Sequence, residues 1–383
     1  MHRGYCASRF GRTYHYVWGL LLFMLIVTLI SMLFTSVAFL REGFFEEAEN
    51  KLTDIVSLPG YTTWIAQALR YIPPEVVGTW RRRHYLVVFG IPSMDISERQ
   101  VRRSLQRQTC WGYTGVARSA NHFVGEMLIL FALGHHPTNN YVISSSAIEE
   151  AQTWKDVIML PLYEGRPTTT KKIGGAGKWG TEAEIGMSRK TFMWLQLAVR
   201  LFSGVPYIAK GDDDMFMRVP QYLADLRSLP RRGLYWGTFG SLSYKGAMVQ
   251  YAYGWCYTLS VDVVRAFLAY EPLRRAVFFP YSEKNKAVFE QFYMGAEDVM
   301  VGLVLNKAGY YPNMYFVQET ECSFYDLRVG YLTRPLRNSA VVVHHVGEED
   351  YRVAMDKFEN VTASDPRHLT RIGKGVGRFS CTW

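Results

Sequence analysis

The chain has 383 residues, 49% of them hydrophobic and 15% aromatic, enough for one large domain or two ordinary ones. Its formal net charge of +9 admits nucleic acid or an anionic surface as partner. What comes first in the chain argues against nucleic acid.

Residues 17–40 carry no charge. At about 1.5 Å per helical residue they cover a hydrocarbon core of roughly 30 Å. Arg3, Arg9 and Arg12 precede this run, and Arg41, Glu42, Glu46, Glu47 and Glu49 follow it. The positive-inside rule then predicts a cytosolic tail (1–16), a transmembrane signal anchor (17–40) and a lumenal remainder. A cleaved signal peptide is the rival reading, with Ser36-Val37-Ala38 as its cleavage site, but such cores span only about 7–15 residues. Cys110, Cys256, Cys322 and Cys381 lie beyond the anchor, and an even number permits two disulfides in an oxidising lumen. Asn360-Val361-Thr362 is a glycosylation sequon.

Residues 41–83 read as a stem broken by Pro59-Gly60 and Pro73-Pro74. The globular domain is expected from 84, opening on a buried strand at Tyr85–Gly90. A helix over 97–109 carries Arg99, Arg102, Arg103 and Arg107, a solvated basic face in its plainest reading. Further strands are expected at Asn140–Ser144 and Val157–Pro161. The Gly-rich segment 174–180 lacks the Walker spacing and reads as a mobile loop near the substrate. An amphipathic helix over Ser188–Phe202 leads into an apolar strand at Val205–Ala209. Strands alternating with helices predict an α/β architecture.

That last strand ends in Asp212-Asp213-Asp214. Three adjacent acids repel one another and need a counter-charge. Alternation in an extended chain puts Asp212 and Asp214 on one side and Asp213 on the other. Two carboxylates facing one way suit a hard divalent cation that also binds phosphate oxygens; a solvated acidic turn is the bland alternative. Downstream, Gln250–Ser260 places Gly254 among aromatics. Glu297-Asp298 sit at an expected helix start, where acids also stabilise the macrodipole without any function, by roughly 0.3–1 kcal/mol.

Together these segments resemble a family. The ordered set Lys210-x-Asp-Asp-Asp-x-Phe216, Tyr251-x-x-Gly-x-x-Tyr257-x-Leu-Ser260 and Glu297-Asp-Val-x-x-Gly302 resembles the β-1,3-galactosyltransferase and N-acetylglucosaminyltransferase superfamily (glycosyltransferase family 31). Asp156-Val157-Ile158, Lys190-Thr191 and Trp194 match its upstream pattern. Arg99–Trp111 matches another stretch, with one extra residue before Trp111. The resemblance spans roughly 84–355 and is closest to the divergent kinetoplastid branch.

The resemblance implies a GT-A fold over 84–383, with a Rossmann-like nucleotide half and an acceptor half, on a type II Golgi membrane protein. It implies a UDP-sugar donor, UDP-GlcNAc or UDP-Gal, with Mn²⁺ and inversion. The acceptor it implies is a glycan hydroxyl on a glycoprotein or glycolipid. Precedent in the family leans to GlcNAc on a glycoprotein, with a β-1,3 or related linkage. Asp212 and Asp214 would hold the metal and Asp213 would face the ribose or donor sugar. Asp298 would be the base, with Glu297 the open alternative. Gly254 would let backbone and aromatics approach the sugar.

By the family's register His344 is a third metal ligand. A strand over 341–345 would send His344 and His345 to opposite faces. Arg103 and Arg107 are expected to line the uracil or phosphate side. Two other readings compete: an inactive transferase-like scaffold, and a metal-dependent phosphohydrolase. Met215-Phe216-Met217-Arg218 after the acids argues against the phosphohydrolase.

Overall fold

The computed structural model describes residues 22–32, 61–173, 175, 177–330 and 332–381. It divides into two units, residues 1–51 and 52–383. In the first, helix α1 (22–32) exposes Leu22, Phe23 and Met24. No described helix is long and apolar enough to cross a membrane, and the rest of the expected 17–40 anchor lies outside the described residues.

The second unit is an α/β fold. Its strands are β1 (Val87–Pro92), β2 (Val116–Ala117), β3 (Met127–His135), β4 (Val157–Tyr163), β5 (Tyr207–Gly211), β6 (Phe216–Met217), β7 (Leu234–Tyr244), β8 (Ala247–Ser260), β9 (Tyr315–Gln318), β10 (Phe324–Asp326), β11 (Val342–His344), β12 (Leu369–Gly373) and β13 (Val376–Phe379). Among the described residues, ten strands form one mixed sheet, β12-β13-β9-β7-β8-β5-β1-β3-β2, with β4 also pairing β3. The run β4-β3-β1-β5 is parallel, as its continuous apolar strands require. From β1 the chain builds outward through β3 to β4, then returns to lay β5 on the other side of β1. The order therefore reverses between β1 and β5, where open α/β sheets form their ligand crevice.

Helices α2 (Tyr61–Ala68), α3 (Pro74–Arg82), α4 (Ser97–Gln108), α5 (Ser145–Trp154), α6 (Thr181–Leu201), α7 (Val219–Ser228), α8 (Val261–Leu268), α9 (Glu271–Phe278), α10 (Lys286–Glu290), α11 (Glu297–Lys307) and α12 (Glu348–Phe358) complete the unit. α6 packs along β1, β3, β4 and β5, and α11 packs on β8. Alternation in β1 is visible in its neighbours. The Phe89 ring lies 5.9 Å from Trp111 and 6.1 Å from Tyr222, while the next residue, Gly90, faces Trp194 of α6.

Several expectations are corrected. The strand expected at 140–144 is a turn: Asn140 and Tyr141 take left-handed backbone, and the strand lies earlier, in the apolar run of β3. α6 is not amphipathic, because its second half is buried on nearly every side between the sheet and neighbouring helices. The stem boundary at 83 falls inside the packed unit. Trp80 of α3 is fully buried, edge-on to Phe123 at 5.8 Å and 6.5 Å from Phe202. Among the described residues one disulfide forms, Cys322–Cys381, tying the C-terminal segment to the approach to β10. Cys110 and Cys256 are buried free thiols, and burial pushes Cys110 up to about 12.

Candidate functional site

The crevice at the C-terminal ends of β1 and β5 is a cavity of about 920 Å³. Asp212, Asp213, Asp214, Glu297, Asp298, His344 and His345 all line it. Three segments distant in sequence meet there.

The acids follow β5 in a turn. His344 Nε2 lies 3.6 Å from an Asp212 oxygen and 3.3 Å from an Asp214 oxygen, so these two carboxylates do face one group. Asp213 points elsewhere: it accepts from Ser93 Oγ at 2.6 Å and pairs with Arg99. Asp212 is the most open of the three, with 32% of its side chain exposed against 6% and 12% for Asp213 and Asp214, so it can reach a ligand in the cavity. Burial alone would raise Asp214, but His344 and Arg99 outweigh it and hold the carboxyl well below the usual range. Burial likewise disfavours a charged His344, yet Asp214 and Asp326 push the imidazole up to about 9.

The small sheet β10-β11-β6 delivers His344. β10 and β11 are parallel with Asp326 in register with His344, and β6, just past the acids, pairs antiparallel with β11. The two histidines do not face opposite sides. β11 ends at His344, and His345 adopts φ 52°, which turns its ring back beside its neighbour at 3.8 Å between centroids. Asp326 Oδ1 accepts from both Nδ1 atoms, at 2.8 and 3.0 Å. Ligand atoms of Asp214, His344 and His345 all lie within 4.8 Å of one another. Carboxylate oxygens and imidazole nitrogens are donor types that first-row divalent metals take.

Helix α11 brings Glu297 and Asp298. Glu297 Oε1 is ion-paired with Lys210 at 2.6 Å, and Oε2 accepts from Tyr257 at 3.2 Å. Lys210 also binds Asp212 Oδ1 and the Gly254 carbonyl, each at 2.6 Å. Asp298 instead accepts from the backbone N–H groups of Val299 at 2.8 Å and Gly254 at 3.3 Å. Burial raises both acids, Glu297 to about 7. Gly254 is needed for this network: a Cβ there would stand 2.6 Å from Glu297 Oε1 and 3.3 Å from Lys210 Nζ. The close approach it permits is to Lys210 and the α11 acids. Gly302 does the same for the helix, since a Cβ would fall 2.2 Å from the Gln250 carbonyl of β8.

Arg103 and Arg107 do not line the cavity. Arg103 binds Glu150 through Nε at 2.9 Å and a terminal nitrogen at 2.6 Å, and its other nitrogen donates to Ser93 Oγ and the Met94 carbonyl. Arg107 holds Asp156 in a bidentate pair at 2.8 and 2.7 Å and reaches Glu150 at 2.7 Å. Both are buried structural cations, as is Arg102, which donates to the Val346 carbonyl. The arginine that does reach the cavity is Arg99, one turn earlier. Lys178 and Trp179 of the Gly-rich segment line the cavity too, with Lys178 donating to the Gly295 carbonyl.

Sequence inspection missed Asp326, Arg99 and His345. Asp326 gave no signal because its partner lies 18 residues away and meets it only through strand pairing. Searches of protein-family models and of curated proteins return no match to this chain.

Proposed function

We propose that the chain is an inverting, metal-assisted UDP-sugar transferase with a GT-A fold, moving GlcNAc or Gal to a glycan hydroxyl on a glycoprotein or glycolipid. One observation carries this reading. A cation-ready group, Asp212, Asp214 and His344, shares a single cavity with a separate carboxylate, Asp298, which is held only by backbone N–H groups in its hydrogen bonding. Group transfer from a nucleotide sugar needs those two functions side by side.

A metal held by Asp212, Asp214 and His344 would supply positive charge for the diphosphate as it leaves. Asp298 takes the proton of the acceptor hydroxyl as that oxygen bonds to the anomeric carbon. The bond from that carbon to the β-phosphate oxygen breaks, and its electron pair leaves with UDP. Backbone donors hold the Asp298 carboxylate in place, while burial raises its basicity. Glu297 is a poorer base, since Lys210 and Tyr257 occupy its oxygens. Its part is to hold Lys210 against Asp212.

The uncharged run 17–40 and the Cys322–Cys381 disulfide support a type II anchor with the folded unit in an oxidising Golgi lumen. The test is sugar transfer by the full-length chain in detergent, across a panel of UDP-sugars and of galactose- and mannose-terminated acceptors. Transfer from one donor that EDTA abolishes is the expected result. Asp298→Asn should keep UDP binding and lose transfer by several orders of magnitude. A chain that binds UDP and Mn²⁺ but transfers nothing would overturn the reading.

A further inference from the structure

Resting on the metal-assisted reading, we propose that His345 is a second imidazole ligand of the cation site and that Asp326 is the positioning residue that aims both rings. A carboxylate oxygen can only accept. Both Nδ1 atoms bonded to Asp326 Oδ1 must therefore carry the hydrogen, at 2.8 Å from His344 and 3.0 Å from His345. With Nδ1 keeping its hydrogen, a cation that displaces any remaining proton meets the ring's lone pair at Nε2. The two rings lie side by side, tilted 38° to each other with centroids 3.8 Å apart, and one ligand atom of each groups with an Asp214 oxygen within 4.8 Å.

The backbone is arranged for this outcome. Parallel pairing of β10 with β11 sets Asp326 beside His344, and the left-handed turn at His345 returns the second ring to the same carboxylate. Asp326 is almost wholly buried, with 2% of its side chain exposed, while both histidines line the cavity. A site of two imidazoles and one or two carboxylates differs in kind from an all-oxygen site. Imidazole nitrogen discriminates against Mg²⁺ and Ca²⁺ and favours first-row transition metals, more strongly from Mn²⁺ to Co²⁺.

The experiment is a titration of the metal-stripped full-length protein with Mn²⁺, Co²⁺ or Mg²⁺, with and without UDP, read by calorimetry and by the visible spectrum of Co²⁺. The parent protein should bind Co²⁺ more tightly than Mn²⁺, and both at least ~10-fold more tightly than Mg²⁺. His345→Gln keeps the size of the side chain and removes the ring nitrogen. It should weaken Co²⁺ binding about 10- to 100-fold, change the Co²⁺ spectrum and narrow the preference over Mg²⁺. Asp326→Ala should weaken Co²⁺ binding about 10- to 100-fold, with Asp326→Asn intermediate because its amide oxygen still accepts.

Unchanged Co²⁺ affinity, spectrum and metal preference in His345→Gln would overturn the ligand assignment. Equal affinities in parent and Asp326→Ala would overturn the positioning role. Should Asp326→Ala not fold, Asp326→Asn with parental affinity and spectrum would overturn that role as well. Sugar transfer measured on the same samples separates the two readings. Metal selectivity without transfer leaves this inference standing and removes the transferase. EDTA-sensitive transfer that is indifferent to His345→Gln removes only the second ligand.

Discussion

Glu297 shows how one residue's surroundings become a measurable property of the protein. Burial, opposed by Lys210 and reinforced by Asp298, lifts its carboxyl from an ordinary 4.5 to about 7. Between those values the native state keeps a proton that the unfolded chain has released. Stability should therefore fall as pH rises from about 4.5 to 7, the reverse of an acid whose native pKa is depressed. Glu297→Gln should flatten that part of the profile, measured as melting temperature against pH; an unchanged slope would show that Glu297 does not carry it. The neighbouring Asp298 accepts instead from the backbone N–H groups of Gly254 and Val299. Two adjacent acids at one helix start thus sit in different surroundings, because one is ion-paired with a lysine and the other is hydrogen-bonded by backbone N–H groups.

At the scale of an element, α4 is the informative case. Its arginines at 99, 102, 103 and 107 follow helical spacing, and all four are buried. Between them they meet three parts of the fold: Arg99 pairs with Asp213 after β5, Arg102 donates to the carbonyl before α12, and Arg103 and Arg107 share Glu150 of α5, with Arg107 also holding Asp156 just after it. The helix ties the crevice to its scaffold through charge. Arg107→Ala would strand Asp156 and leave Glu150 to Arg103 alone. Removing one partner of a buried pair costs about 3–5 kcal/mol. Chemical denaturation should show a loss of that order, with Mn²⁺ affinity nearly unchanged at temperatures where the variant stays folded. A strong loss of metal affinity with intact stability would move Arg107 back to the site.

Across the whole molecule, the folded unit extends well upstream of the first β-strand. α3 places Trp80 between Phe123 and Phe202, and losing a buried Trp side chain typically costs about 3–5 kcal/mol. A secreted chain beginning at residue 84 should therefore melt lower and aggregate more than one beginning at residue 52. Equal melting temperatures would show that α2 and α3 add nothing. At the other end, Cys322–Cys381 holds the C-terminal segment, whose strands β12 and β13 extend the sheet beyond β9.

The sequence by itself determined the local features: the uncharged run, the apolar strands ending in acids, the α/β alternation and most candidate residues. These are legible because periodicity and charge are properties of neighbours along the chain. Tertiary structure alone decided which of those residues share a cavity. Asp298, His344 and the acids after β5 meet through strand order and a helix seated on glycines, and no local pattern encodes that meeting. It also decided the roles that inspection assigned wrongly. Arg103 and Arg107 look like ligand-binding cations until their carboxylate partners, more than forty residues away, are placed beside them. Paired histidines look opposed until a single left-handed residue turns one back. A side chain's chemistry is written in its identity, but the charge and solvent around it depend on contacts that only the fold creates.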